Sequence, residues 1–192
     1  MINLSERKGD FVETFTGRKF WPLDPRPEDV CIEDIAHSLS MQCRFNGHCS
    51  TFYSVAEHSI IVAKELAARD YYPGIQLRGL LHDAAEAYCC DIPRPLKKHI
   101  VMYSGIEFVV QKAILAHFDL PVKILNHLAY LIKDIDTSVM VYEAEQIMPN
   151  MNNWTNGYAT MPLKLKHVLG LSQKEAKKQF LDMFNKLINE LK

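Results

Sequence analysis

The stretch Leu80-Leu81-His82-Asp83-Ala84-Ala85-Glu86-Ala87-Tyr88 decides how this chain is read. It sets a histidine and an aspartate side by side in an apolar, helix-forming run. Burying charge costs free energy unless the group is paired or bound to a metal. On a helix, Glu86 follows His82 by four residues and Asp83 by three, so all three side chains can share one side. An imidazole beside a carboxylate in such a setting suits a borderline divalent cation. Further ligands must come from elsewhere, and the candidates are His58 in Ala56-Glu57-His58-Ser59 and Asp136 in Lys133-Asp134-Ile135-Asp136. A bare His-Asp dipeptide reads more readily as a helix-surface pair. Here Leu77, Leu80, Leu81, Ala84, Ala85 and Tyr88 turn the pair inward.

Helical signals surround this stretch. A short helix is expected over 28–40, with Ile32, Ile35, Ala36 and Leu39 inward. Ser54/Glu57, Ser104/Glu107 and Ser172/Glu175 each fit a capping box and predict helix starts. The first places His58 one turn inside a helix reaching about 69. A second helix over about 75–88 carries the His-Asp pair, and a third runs over 105–117. Residues 122–148 read as one long helix, with Leu125, Leu128, Ile132, Ile135, Val139 and Tyr142 as its core stripe. Asp136 lies on that stripe, whereas Asp134 shares a wetter face with His127 and Ser138, so Asp136 is the ligand candidate. A last helix over 172–191 carries Phe180, Phe184 and Leu187. No run calls for a sheet, and the expected class is all-α. Within one domain, 1–30 forms a proline-rich irregular arm, either packed or edging a substrate pocket. Residues 31–148 form the core, and 149–192 a flap-like loop and the closing helix.

Composition narrows the function. The 192 residues carry 22 basic and 23 acidic side chains, a net charge of −1, which offers no extended nucleic-acid surface and no basic membrane face. No apolar run approaches the ~20 residues of a spanning helix. The five cysteines, with no C-x-x-C spacing, predict reduced thiols and a cytoplasmic setting. Cys43, His48 and Cys49 lack a second pair to complete a zinc site. Arg44, in the same Asn-Gly loop, is a better phosphate or sugar ligand.

The ordered set His58, His82-Asp83 and Asp136 resembles the HD-domain metal-dependent phosphohydrolases. So does the pattern from Arg78 to Tyr88 followed by Asp91-Ile92-Pro93-Arg94-Pro95-Leu96-Lys97. The likeness runs from about Phe15 to the last helix. It is closest to the small nucleotidase branch, which holds bacterial 5′-deoxynucleotidases and phage deoxyadenosine triphosphate triphosphohydrolases. The resemblance implies a single HD-domain helical bundle, Asp91 as a second carboxylate near the nucleophile, and substrate contacts from Arg44, Phe45, Pro95 and Lys97. It also implies a homo-oligomer, a dimer or hexamer, in a bacterial or phage-infected host cytoplasm. The chain lacks the Gly-Tyr-Pro element of the cyclic-dinucleotide branch and has no GxxxxGK phosphate loop.

Two histidines and two aspartates can hold one divalent ion, with zinc, cobalt, manganese, nickel and magnesium not distinguished by the donor set. Such an ion activates water and draws charge from a phosphoryl oxygen. Glu86 is expected to orient or deprotonate that water. The expected function is hydrolysis of deoxynucleotide phosphoesters, with the conversion of deoxyadenosine triphosphate to deoxyadenosine and triphosphate in the lead. A 5′-deoxynucleotidase acting on monophosphates is the alternative. A non-catalytic nucleotide-binding regulatory module is the alternative of another class.

Overall fold

A computed structural model describes residues 7–150 and 158–192. Its central element is helix α2 (Val55–Ala67), buried without a break from Val55 to Ala63 and again at Glu65 and Leu66. Such all-round burial marks a helix enclosed by others. Ser54 caps it by accepting a hydrogen bond from the Glu57 N–H, a device worth about 1 kcal/mol. The Glu57 carboxylate does not complete the expected capping box. It accepts from the Gly170 and Leu171 N–H groups instead, tying a distant loop to the helix.

Helix α3 (Pro73–Leu80) lies against α2, with Pro73 in the first turn, where its missing N–H costs nothing. Gly79 permits the close approach. A Cβ there would stand 2.3 Å from Cδ1 of the fully buried Leu66, so the two helices or that side chain would have to shift. Helices α1 (Ile32–Met41), α6 (Tyr103–His117) and α8 (Gln173–Asn189) close one core cluster through Ile35, Leu39, Val110, Ile114, Phe180 and Phe184. Helix α7 (Asn126–Ile147) supplies Ile132, Ile135, Val139 and Ile147 to a second, beside Tyr53, Ile61, Leu66 and Ile75. Two short helices, α4 (Glu86–Cys89) and α5 (Arg94–Lys97), complete an all-α, single-domain fold. No helix among the described residues is long and apolar enough to cross a membrane.

Several local expectations are corrected. The helix expected over 75–88 stops at Leu80, and residues 81–85 are turns. The side chain of Gln111, from α6, displaces the regular ladder there: its Nε2 donates to the Leu81 carbonyl at 2.7 Å and its Oε1 accepts from the Ala85 N–H at 3.1 Å. Ser104 caps nothing. Helix α6 starts two residues earlier, at Tyr103 behind Met102, and Glu107 pairs with Lys97 instead. Leu125, the first residue of the expected stripe, is exposed, whereas Ser138, placed on the wetter face, is buried. The segment 91–98 contains the single turn α5.

Residues 7–30 are less irregular than their prolines imply. Two-residue strands β1 (Val12–Glu13) and β2 (Lys19–Phe20) pair antiparallel, Val12 opposite Phe20. The intervening turn is locked by the buried Asp34 of α1, whose carboxylate accepts from Thr14 Oγ1, Thr16 N and Thr16 Oγ1 at 2.7–2.9 Å. Phe20 and Trp21 are buried, and Phe20 stacks on Tyr88 with ring centroids 3.7 Å apart. Of the flap expected after residue 148, positions 151–157 lie outside the described residues. From 158 onward the chain is irregular but held, because Glu65 accepts the Lys164 and Leu165 N–H groups.

Candidate metal centre

Four side chains from three stretches of chain meet at one point. His58 is carried by the fourth residue of α2, His82 and Asp83 by the turn after α3, and Asp136 by the middle of α7. His58, His82 and Asp83 offer ligand atoms that all lie within 4.8 Å of one another. Asp136 stands against this trio from the side, its Oδ1 3.1 Å from His58 Nε2 and 3.8 Å from His82 Nε2. Asp83 Oδ2 is 3.1 Å from His82 Nε2 and 3.8 Å from His58 Nε2. Asp134 is exposed.

Both imidazoles are oriented from behind. The Nδ1–H of His82 donates to the Gly79 carbonyl at 2.7 Å, and that of His58 to Glu143 Oε1 at 2.6 Å. A carbonyl can only accept, so Nδ1 of His82 carries a proton and its Nε2 is turned toward the cluster. That Nε2 is buried with no aligned hydrogen-bond partner. A buried polar atom left unsatisfied calls for a ligand. With two imidazole nitrogens and two carboxylates converging on it, the donor set fits a divalent metal.

Sequence reasoning missed Glu143. It is fully buried on α7, and besides His58 it accepts from the Tyr53 hydroxyl at 2.6 Å and from Arg44 Nε at 3.2 Å. One signal was present: Glu143 follows Asp136 by seven residues, two turns along the same helix face.

The electrostatics follow from these contacts. Burial alone would lower the pKa of His82, but the Asp83 and Asp136 carboxylates raise it well above its ordinary value. Burial would raise Asp83 and Asp136, yet the adjacent imidazoles hold both below the usual carboxylate range. Glu86 behaves oppositely. Burial, then the charges of Asp83 and Asp91, push it well above its ordinary value, and its Oε2 is buried without a partner. Asp91 is also raised, chiefly by burial.

The cluster opens on a cavity of about 690 Å³. Arg44, Phe45, Asp83, Glu86, Asp91, Pro95, Lys97 and Asp136 line it, as do Arg94, Lys133, Met140 and Tyr158. Of the candidate site residues read from the sequence, all but His58 and His82 line the wall. None of residues 7–30 lines this cavity, and that part of the arm packs through the buried Phe20 and Trp21. The cations are engaged with carboxylates. Arg94 and Lys133 each reach Asp136 Oδ2 at 3.0 Å, Lys97 bonds Glu107 at 2.5 Å, and Arg44 spans Glu143 and Asp83. Among the other histidines, His99, His117 and His127 are exposed, and His167 is bound to Glu65.

No family model matches the chain. It is 41% identical over 139 residues to the uncharacterized protein RCAP_rcc00048 of Rhodobacter capsulatus, covering 69% of this chain and 70% of that protein. The two belong to one family. It is also 40% identical over 111 residues, 58% of its length, to the uncharacterized protein YfdR of Escherichia coli (strain K12), of which it spans 60%.

Proposed function

We propose that this protein is a divalent-metal-dependent phosphohydrolase of the HD type acting on deoxynucleotides. The reading rests on one observation: the unpartnered Nε2 of His82 faces His58 Nε2, Asp83 and Asp136 at the wall of a cation-lined cavity. His58, His82, Asp83 and Asp136 would hold the ion, which when bound supplies Lewis acidity toward water and phosphoryl oxygen.

The chain's own residues do the rest. Glu143 and the Gly79 carbonyl fix the imidazoles with Nε2 forward. Glu86 has a pKa raised by burial toward the working range of an acid-base group, and its free Oε2 can take a proton from the attacking water. Asp91 lies close enough for its charge to act on Glu86. Arg44, Arg94, Lys97 and Lys133 present positive charge to the phosphates, Arg as a planar fork and Lys as a point charge.

Four cations around one cavity favour a triphosphate, with deoxyadenosine triphosphate the leading candidate and deoxyadenosine plus intact triphosphate the products. A second reading, a 5′-deoxynucleotidase, is favoured by the carboxylate partner that each of these cations already has, which leaves less net charge for a triphosphate. Both break the ester at the phosphorus nearest the sugar. Incubation with separate deoxynucleoside mono- and triphosphates and added Mn²⁺, Co²⁺ or Mg²⁺, products resolved by chromatography, tests the reading. Intact triphosphate supports the first form and phosphate from monophosphates alone the second. No product under any metal leaves a nucleotide-binding module.

A further inference from the structure

Between the two candidate catalytic carboxylates the chain takes an unfavourable course. Cys90 has φ +70°, in the left-handed region, where a non-glycine residue is disfavoured. The reversal at Cys90 brings Asp91 back to the cavity that Glu86 also lines. Such a conformation persists only when its surroundings fix it. On one side the Tyr103 hydroxyl bonds the Cys90 carbonyl.

On the other side stands Gln42, the residue that ends α1. Its Nε2 donates to the Glu86 carbonyl at 3.0 Å and to Ser38 Oγ at 3.1 Å, and its Oε1 accepts from the Asp91 N–H at 2.9 Å. The amide orientation is unambiguous, since a carbonyl only accepts and an N–H only donates. One side chain therefore bridges the backbones of both carboxylate residues. Its own carbonyl accepts from the Val55 N–H, at the start of the helix that carries His58, and Arg44 is two residues on.

We propose that Gln42 is a positioning residue that fixes Glu86 and Asp91 relative to each other and to the helix bearing His58. This inference rests on the phosphohydrolase reading above. It requires no contact between Gln42 and substrate, because Gln42 is not part of the cavity wall. Without it both carboxylates remain in the chain, but the bridge that sets their spacing is lost. Displacement by about 1 Å at a reacting centre can cost on the order of 100-fold in rate.

The test uses the full chain as wild type, Gln42→Ala and Gln42→Glu. Metal content, thermal midpoint, nucleotide kinetics and exchange of the Asp91 amide are measured on each. Gln42→Ala is expected to lower kcat by about 10–100-fold with KM and bound metal near the wild-type values, and to speed Asp91 amide exchange. Gln42→Glu keeps the acceptor for Asp91 but loses the donor to Glu86, and is expected to fall between the two. Wild-type kcat in Gln42→Ala, or a loss that tracks lost metal or lost folded protein, overturns the proposal. If Gln42→Ala does not fold, Gln42→Glu decides alone: an undiminished kcat overturns the proposal, and a reduced kcat at unchanged KM supports it. A wild type that hydrolyses no nucleotide sinks the phosphohydrolase reading instead. Positioning by Gln42 is then judged by Asp91 exchange, and an unchanged rate in Gln42→Ala refutes it.

Discussion

Helix α2 carries two buried histidine–glutamate pairs, two turns apart, and they have opposite characters. At His58 the helix supplies the imidazole and α7 the carboxylate of Glu143, 2.6 Å away. At Glu65 the helix supplies the carboxylate and the irregular segment after residue 158 the imidazole of His167, 2.8 Å away. Glu65 is saturated. One oxygen accepts from the Leu165 N–H and His167, the other from the Lys164 N–H and Arg69. The pair is a clamp that fastens a loop to the core. The His58 pair instead leaves Nε2 facing Asp136, Asp83 and an unpartnered His82 Nε2. Buried charge by itself therefore does not mark a functional site; what sets the His58 pair apart is the unspent hydrogen-bonding capacity of His82 Nε2 beside it.

The comparison breaks most visibly at the metal. Asp136→Ala is expected to lose bound divalent ion and activity together, while Asp134→Ala and His167→Ala keep their metal, all read by elemental analysis of the purified proteins. Loss of metal from Asp134→Ala would reverse the assignment on α7. Next in size, Glu86→Ala is expected to keep its metal and lose about 10²–10⁴-fold in turnover, the usual worth of a positioned acid-base group. A fully active Glu86→Ala would remove that role. Third, Glu143→Gln weakens the hold on the His58 imidazole and is expected to cost about 10–100-fold in metal affinity, measured by competition with a chelator. An unchanged affinity would make Glu143 a clamp like Glu65.

The smallest effect belongs to Glu65→Gln, expected to cost about 1 kcal/mol of stability with metal binding intact. It also carries a pH signature. Burial would raise the Glu65 pKa, but the N–H groups of Lys164 and Leu165, with Arg69 and His167, bring it below its ordinary 4.5. A carboxylate lowered in the folded state contributes stability above the unfolded value of about 4.5, and loses it as pH falls through the folded pKa. The wild-type thermal midpoint should therefore fall more steeply than that of Glu65→Gln as acid is added below about pH 4.5. Parallel curves would show that the clamp does not titrate as described.

Much of this was legible in the sequence because helical phase is a local property. The apolar positions Ile132 and Val139 decide that Asp136, not Asp134, faces inward. Ser54 and Ser172 announce their helices. The unread parts depend on partners far along the chain. Asp34 ties down the hairpin from about 20 residues away. Glu107 looked like half of a capping box and is the partner of Lys97. Glu57 found two amides more than a hundred residues on. Glu143 sat two turns past Asp136 on the same face, but a charge on a core stripe announces burial without naming its partner.

The break after Leu80 has a further consequence. The turn holding His82 and Asp83, just ahead of Glu86, takes its shape from Gln111, a side chain on another helix that does not line the cavity. Its amide substitutes for backbone hydrogen bonds at Leu81 and Ala85, so the local conformation is written thirty residues downstream of where it is expressed. Changes at position 111 can therefore alter the geometry of His82 and Asp83 while both residues stay the same. Relatives of this chain that keep His58, His82, Asp83 and Asp136 can differ in how these four side chains are arranged through a single substitution on α6.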